Sequence, residues 1–172
     1  MSSPPESFAG DWVTPDHPRY SEAIARWAAN AERRAKVVAF VKSAQDVATV
    51  LKYAKQHSYQ IAIRGGGHSS SGASSVEDGI VIDLSRHLSG VRVDPVEKLA
   101  YVGGGAIWET VDKTAIEHGL ATVGGTVNHV SSSTMFHFRS THLPCIRPAS
   151  EGVYLAVPPD STLFTAPISA FS

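Results

Sequence analysis

Hydrophobic residues recur with two different periods along the first part of the chain. Residues 37–41 (VVAFV) and 61–63 (IAI) are short apolar runs of the kind that form buried strands. Between them, residues 44–57 carry apolar side chains at helical spacing, and Ser43 with Asp46 gives a capping-box pattern at the start of that helix. A strand, a helix and a strand joined by short connections predict two neighbouring parallel strands.

A hairpin is predicted after this first unit. Residues 79–84 (GIVIDL) predict a further strand. Residues 91–93 and 99–102 are apolar stretches on either side of Asp94 and Pro95, a dipeptide typical of turns. We therefore expect two antiparallel strands at this point.

A second amphipathic helix is predicted for residues 107–118, and Gly119 follows where a left-handed C-terminal cap belongs. Residues 120–123 are then the next strand, which repeats the strand–helix–strand order. Residues 20–36 also show helical spacing. Together the elements predict an α+β fold with β-α-β units and mixed sheets. The side chains expected in its core are Val47, Leu51, Ile63, Val81, Val111 and Ile116.

The composition divides the chain into three parts. Residues 1–19 are rich in Pro, Ser and acidic side chains and predict an irregular lead-in. Residues 20–130 carry the periodic elements. Of the 14 glycines, 13 precede Val130, whereas five of the 10 prolines follow it. Since residues 131–172 show neither period, we expect a divergent and poorly ordered tail there.

Charge and cysteine content exclude several classes of function. The formal net charge is -1 and no basic stripe is visible, so a nucleic-acid partner is not expected. Cys145 is the only cysteine, which precludes an internal disulfide. The spacing of His129, His137 and His142 to this cysteine matches no zinc pattern, so no metal is expected. Neither a signal peptide nor a membrane span is indicated, and we expect an intracellular location.

The strongest chemical feature is the segment RGGGHS at residues 64–69, directly after a predicted strand. Successive glycines allow positive φ angles, and the consecutive N–H groups of such a loop form a concave anion site. The segment lacks the lysine of a Walker A loop, and Ser70 occupies the last glycine position of the Rossmann pattern. Taken alone, three glycines also fit an ordinary surface turn.

Three segments in order make the pattern specific: IAIRGGGHSSSG, GIVIDLSRHL and AYVGGGAIWETVDKTAIEHGLATVGGTVNHV. Residues 20–130 resemble the N-terminal part of the PCMH-type FAD-binding domain of the vanillyl-alcohol oxidase and berberine-bridge-like flavoproteins. The resemblance implies the PCMH-type fold and FAD as cofactor. It implies that His68 is the histidine bonded to the 8α carbon of the flavin. Val127 stands where some relatives carry a second linking cysteine, so one linkage is expected.

The same resemblance implies which residues hold the cofactor. The backbone around the glycines binds the pyrophosphate, and a later Gly-Gly-Thr segment leads into a loop against the flavin and adenosine. Residues 103–105 match a further segment of the domain, or form a tight turn. The implied cofactor-binding residues are Arg64, Gly65, Gly66, Gly67, His68, Ser69, Gly125 and Thr126.

The function implied is that of an FAD-linked oxidoreductase that oxidises an alcohol, sugar or amine-type small molecule. After residue 130 the resemblance stops, so the substrate domain and the catalytic base have no counterpart here. We interpret the chain as a truncated form of such an enzyme. Two alternatives stay open: a non-catalytic remnant that binds FAD, and a small interaction domain without a nucleotide.

Overall fold

The computed structural model describes residues 3–122, 127–131 and 152–157 of the chain. These residues form two four-stranded sheets, each with helices packed against it. The elements in chain order are β1 Asp11–Val13, α1 Tyr20–Ile24, a 3₁₀ turn Ala29–Ala31, β2 Val37–Phe40, α2 Ala44–Gln56, β3 Ile61–Arg64, β4 Ile80–Asp83, β5 Val91–Asp94, β6 Leu99–Val102, α3 Trp108–Ile116, β7 Ala121–Thr122 and β8 Gly152–Val157.

The first sheet has the strand order β1-β2-β4-β3. Strands β2 and β3 both run parallel to β4, which lies between them, so the prediction that β2 and β3 are neighbours is wrong. All four residues of β4 are buried, whereas β3 alternates between exposed and covered positions. The more apolar strand therefore takes the centre, where both faces are covered.

Helix α2 begins at the predicted cap, where the Ser43 hydroxyl accepts a hydrogen bond from the Asp46 N–H at 3.1 Å. The lead-in is more regular than expected, because β1 pairs antiparallel with β2. The Asp46 carboxylate accepts hydrogen bonds from the N–H groups of Ala9 and Lys42, both at 2.9 Å. This buried side chain thereby fastens the lead-in to the helix.

The helix predicted over residues 20–36 is wrong in length. Helix α1 ends at Ile24, and only a 3₁₀ turn at Ala29–Ala31 follows. Ala25 already has an extended backbone, with φ -56° and ψ 143°. The Arg26 guanidinium donates hydrogen bonds to the last carbonyls of α1. The Trp27 N–H donates to the Gly67 carbonyl and so does not continue the helix.

Half of the predicted core is correct. Val81 and Val111 are buried and Val47 is partly buried against the same core. Leu51, Ile63 and Ile116 are exposed by 43, 60 and 74%, so their predicted burial is wrong. Helix α2 covers β2 and β4 but not the outer part of β3, and α3 buries the stripe next to Ile116.

The second sheet has the order β5-β6-β8-β7 with antiparallel neighbours throughout. The predicted hairpin is present as β5 and β6, and Gly119 has the left-handed φ of 65° after α3. The sequence prediction missed β8 (GVYLAV), which lies in the segment expected to be poorly ordered. The rest of residues 132–172 lies outside the described residues, so weak order there stays a prediction. No helix in the described part of the chain is long and apolar enough to cross a membrane.

Candidate functional site

The glycine-rich segment lies at the carboxyl edge of the parallel strands. Strand β3 ends at Arg64, whose carbonyl accepts a hydrogen bond from the Leu84 N–H at 2.9 Å, just beyond β4. Residues 65–69 therefore leave the sheet beside the loops that follow β2 and β4. Ligands of open parallel sheets bind at this edge.

The backbone of residues 65–69 is free to bind a ligand. Among the described residues, none of these five N–H groups donates a hydrogen bond to the protein. Gly67 has a left-handed φ of 74°, and its carbonyl accepts from the Trp27 N–H at 3.3 Å. Consecutive unpaired N–H groups around a left-handed residue form an anion-binding concavity.

Two arginines and a buried carboxylate lie beneath this loop. The Arg64 Nη1 is 2.9 Å from the fully buried Asp83 carboxylate, which also accepts from the Ser85 N–H and hydroxyl. The Cβ of any residue replacing Gly67 would lie 3.0 Å from the Arg64 Nε and 3.4 Å from the Arg26 Cδ. The Arg64 guanidinium and the aliphatic part of the Arg26 side chain therefore lie next to the loop.

Arg26 remains charged at neutral pH. Burial, with the nearby charge of Arg64 as a smaller cause, lowers the pKa of Arg26 to about 10, and the carboxylates of Asp83 and Glu32 act in the opposite direction. A second cation so close to the first is unfavourable in the free protein. An anion bound at the loop would relieve that repulsion.

His68 has a buried ring nitrogen, Nδ1, that has no hydrogen-bond partner among the described residues. Burial lowers the pKa of His68, and the charges of His129 and Arg64 lower it further, so the neutral imidazole is favoured. A Cβ at Gly66 would lie 2.5 Å from that Nδ1 and 3.3 Å from the Ser131 Cβ. Glycine at position 66 therefore leaves the space that the imidazole occupies.

The other predicted residues have different places. Arg64 belongs to the sheet and its guanidinium is paired with Asp83, so it supports the loop from below. The Ser69 hydroxyl lies 3.0 Å from that of Ser71 and accepts from the Ala73 N–H at 3.3 Å. Gly125 and Thr126 lie outside the described residues. His129 was considered only as a metal ligand in the sequence, and its electrostatic effect on His68 was missed.

Residues 103–105 form a tight turn that packs against the loop after β4. A Cβ at Gly103 would overlap the Leu88 carbonyl oxygen, and one at Gly105 would overlap that of Leu84. The glycines are thus required by close backbone approach, whichever ligand binds nearby. In the described part of the chain, no three His, Cys, Asp or Glu side chains are grouped to hold a metal.

An open groove of about 810 Å³ has Ile63, two residues before the glycine loop, in its lining. It runs between the N-terminus of α2, the loop after β4 and the β5–β6 hairpin. This groove could not be found from sequence because its walls come from distant segments. Its lining is Lys42, Ser43, Ala44, Val47, Ile63, Ile82, Leu84, His87, Leu88, Gly90, Val91, Arg92, Tyr101, Gly103 and Gly104.

Comparison with known proteins identifies the family of this domain. The profile of the FAD binding domain family matches residues 35–134. The chain belongs to this family of PCMH-type FAD-binding domains. The resemblance drawn from the sequence motifs is confirmed.

Several relatives are FAD-linked oxidoreductases. The chain is 36% identical over 123 residues to the uncharacterized FAD-linked oxidoreductase YgaK of Bacillus subtilis (strain 168), covering 72% of this chain and 27% of the relative. It is 33% identical over 121 residues to (R)-6-hydroxynicotine oxidase of Paenarthrobacter nicotinovorans, covering 70% of this chain and 26% of that enzyme. The chain therefore spans about a quarter of the length of these curated relatives.

The fold agrees with solved structures of the same group. The crystal structure of 6-hydroxy-D-nicotine oxidase from Arthrobacter nicotinovorans superposes with a TM-score of 0.73 at 31% identity, covering 77% of this chain and 29% of that one. The BBE-like 1 protein of Physcomitrella patens gives a TM-score of 0.65 at 22% identity, covering 72% and 27%. The second likeness concerns the fold alone.

Proposed function

We propose that residues 65–69 hold the pyrophosphate of FAD and that His68 provides the ring nitrogen that bonds to the 8α carbon of the flavin. The observation that carries this proposal is the row of N–H groups in residues 65–69, unpaired among the described residues, beside the Arg64 guanidinium and the Arg26 side chain. Such a site favours a polyanion even though it lacks the lysine of a Walker A loop. Gly125 and Thr126 remain proposed contacts.

The environment of His68 suits a nucleophile. A neutral imidazole has a free lone pair, whereas a protonated one has none. Burial and the neighbouring positive charges lower the pKa of His68 and so keep it neutral at physiological pH. The unpartnered Nδ1 shows that no described protein group holds the ring in another hydrogen-bonding role.

The groove supports a place for the rest of the cofactor. Ile63, in the strand that leads into the glycine loop, lines the groove, whereas none of residues 65–69 does. A dinucleotide with its pyrophosphate on residues 65–69 could extend its flavin toward His68 and its adenosine into the groove. The groove volume lies within the ~300–1,000 Å³ usual for cofactor sites.

The proposed activity is flavin-dependent oxidation of a small molecule carrying an alcohol, sugar or amine group. Bound FAD would accept a hydride equivalent from such a substrate. The described residues of this chain contribute the part that holds the cofactor. They bind the pyrophosphate, fix one edge of the flavin at His68 and leave the face of the flavin open to a substrate. The relatives named above support oxidoreductase activity for the full-length fold.

A matched pair of glycine variants tests the anion site. Gly67 and Gly119 have similar left-handed φ angles of 74° and 65°, so alanine at either position costs ~1 kcal/mol of backbone strain. Gly119 follows α3, outside the glycine-rich segment, and a Cβ there would meet no atom within 4 Å. We expect the unmodified chain and Gly119→Ala to retain flavin absorbance after incubation with FAD and desalting, and Gly67→Ala to lose it. A chain that retains no FAD supports the small interaction domain instead.

The covalent bond and turnover need separate measurements. In a full-length reconstruction, built by joining these residues to the remainder of a relative, acid precipitation should leave flavin fluorescence in the protein pellet. His68→Ala should bind FAD without that fluorescence, and a fluorescent His68→Ala pellet would exclude this histidine. Bleaching of the flavin by an added alcohol or amine distinguishes an enzyme from a non-catalytic FAD-binding protein.

A further inference from the structure

The Arg26 side chain donates hydrogen bonds to backbone carbonyls both at the end of helix α1 and outside that helix. Its Nη1 donates to the carbonyls of Ala23, Ile24 and Ala25 at 3.3, 2.9 and 2.8 Å. Its Nε and Nη2 donate to the Ser74 carbonyl at 3.2 and 2.8 Å. The planar guanidinium therefore joins the C-terminal end of α1 to a loop 48 residues further along the chain.

Arg26 and its neighbour Trp27 hold residues 67–74 at both ends. The Trp27 N–H donates to the carbonyl of Gly67, the first of these residues. Arg26 itself holds the far end at Ser74. The segment between them turns back on itself through a hydrogen bond from the Gly72 N–H to the Ser69 carbonyl. Residues 67–74 are thus clamped against the end of α1.

We propose that Arg26 is a positioning residue of the anion site: it fixes the curvature of residues 67–74 so that the unpaired N–H groups of residues 65–69 converge. This inference rests on the proposed binding of FAD at that loop. Arg26 does not contact the cofactor in this proposal, because all three of its side-chain nitrogens already donate to backbone carbonyls. Its role depends on the forked shape of the guanidinium and not on its charge alone.

Arg26→Lys separates shape from charge, because lysine keeps the charge but cannot reach both carbonyl groups in one plane. Arg26→Gln removes both. Arg33→Gln is the matched control, since the Arg33 Nη1 also donates to backbone carbonyls, those of Asn30 and Glu32, within its own exposed turn. All variants are made in the full 172-residue chain.

Hydrogen exchange followed by mass spectrometry measures loop shape without a cofactor. The amides of Trp27, Gly72 and Ser75 donate hydrogen bonds within the clamped segment. We expect Arg26→Lys and Arg26→Gln to raise the exchange rates of these amides about tenfold or more. This is the change expected from the loss of roughly one hydrogen bond to a charged group. Exchange in α2 and in Arg33→Gln should stay unchanged. Equal acceleration in α2, or none in the loop, overturns the proposal.

Affinity for FAD, measured by quenching of flavin fluorescence, completes the test. Both Arg26 variants should bind FAD at least about tenfold more weakly than the unmodified chain and Arg33→Gln. An Arg26→Lys variant with unchanged affinity shows that charge alone suffices and overturns the inference. If the unmodified chain binds no FAD while Arg26→Lys loosens the loop, the proposed function fails and the positioning of the loop by Arg26 is supported.

Discussion

Replacing Asp83 should destabilise the domain more than any other single loss of charge in its described part. The carboxylate is fully buried at the end of β4 and accepts hydrogen bonds from the Arg64 Nη1 at 2.9 Å and from the N–H and hydroxyl of Ser85 at 2.8 and 2.6 Å. Asp83→Asn keeps the size of the side chain. It removes the charge and replaces one acceptor by a donor that faces the guanidinium.

The size of the effect follows from burial. Removing one partner of a buried ion pair costs about 3–5 kcal/mol, because the remaining charge is left uncompensated. The Arg64 side chain keeps 18% of its surface accessible and a further bond to the Ala23 carbonyl at 3.2 Å, which compensates part of the loss. We therefore expect Asp83→Asn to lose roughly 2–4 kcal/mol, a large part of the ~5–15 kcal/mol that stabilises a typical domain.

Urea unfolding followed by circular dichroism measures this change. Glu22→Gln is the control, because Glu22 pairs with Arg19 at 2.7 Å but its side chain is 66% exposed, and such exposed pairs contribute little to stability. The double variant Arg64→Met/Asp83→Leu should recover much of the stability, since it leaves no unpaired charge. If Asp83→Asn lost no more stability than Glu22→Gln, the buried pair would not hold the start of the glycine loop.

Three further predictions concern other parts of the structure. Burial opposes ionisation of Asp46, but hydrogen bonds from backbone N–H groups outweigh it and lower the pKa of this carboxyl. The ionised Asp46 therefore stabilises the fold above pH ~4, and this stabilisation is lost as the pH falls below that value. Asp46→Asn should make the free energy of unfolding depend less on pH in the acid range. Ile116→Lys should change the free energy of unfolding by less than about 0.5 kcal/mol, whereas Val111→Lys should prevent folding. Gly105→Ala should cost about 2–3 kcal/mol in urea unfolding because its Cβ meets backbone, while Gly104→Ala meets only a flexible leucine and should cost less than about 1 kcal/mol. Equal losses within either pair would contradict the packing described above.

The local elements could be predicted because short-range chemistry determines them. The apolar spacing and the Ser43 cap specify α2, and the Asp94–Pro95 turn specifies the β5–β6 hairpin. The order of strands could not be predicted, since the insertion of β4 between β2 and β3 depends on contacts between distant segments. The exposure of Ile63 has the same origin: its strand became an edge that α2 does not cover.

Side-chain contacts that reach across the chain caused the other errors. Residues 20–36 satisfy helical spacing, yet Arg26 and Trp27 use their donors on Ser74 and Gly67, and the helix stops. Strand β8 has a strand-like composition but finds partners in β6 and β7, far earlier in the sequence. Periodicity reports which face of an element is apolar and not which element will cover it.

The candidate site shows the same division. The motif at residues 64–69 identified the anion loop, because glycines followed by histidine are informative without any knowledge of the fold. The charged residues beneath the loop could not be grouped from the sequence. Asp83 and Arg26 are distant from the loop along the chain and come close to Arg64 only in the folded domain. The groove at Ile63 likewise exists only after both sheets have formed.

The unbound site carries two unfavourable features that the same ligand would remove. Among the described residues, the N–H groups of residues 65–69 have no protein acceptor. The charges of Arg26 and Arg64 repel each other, although Asp83 and Glu32 partly offset the charge of Arg26. A bound pyrophosphate would accept hydrogen bonds from these N–H groups, and its negative charge would reduce the repulsion between the two arginines. Because a ligand that binds only the folded state stabilises it by RT ln(1 + [L]/Kd), FAD at a hundred times its Kd should add ~2.7 kcal/mol to the free energy of unfolding. That gain should fall with Gly67→Ala even where no substrate is oxidised, which makes stability a measure of the anion site independent of catalysis.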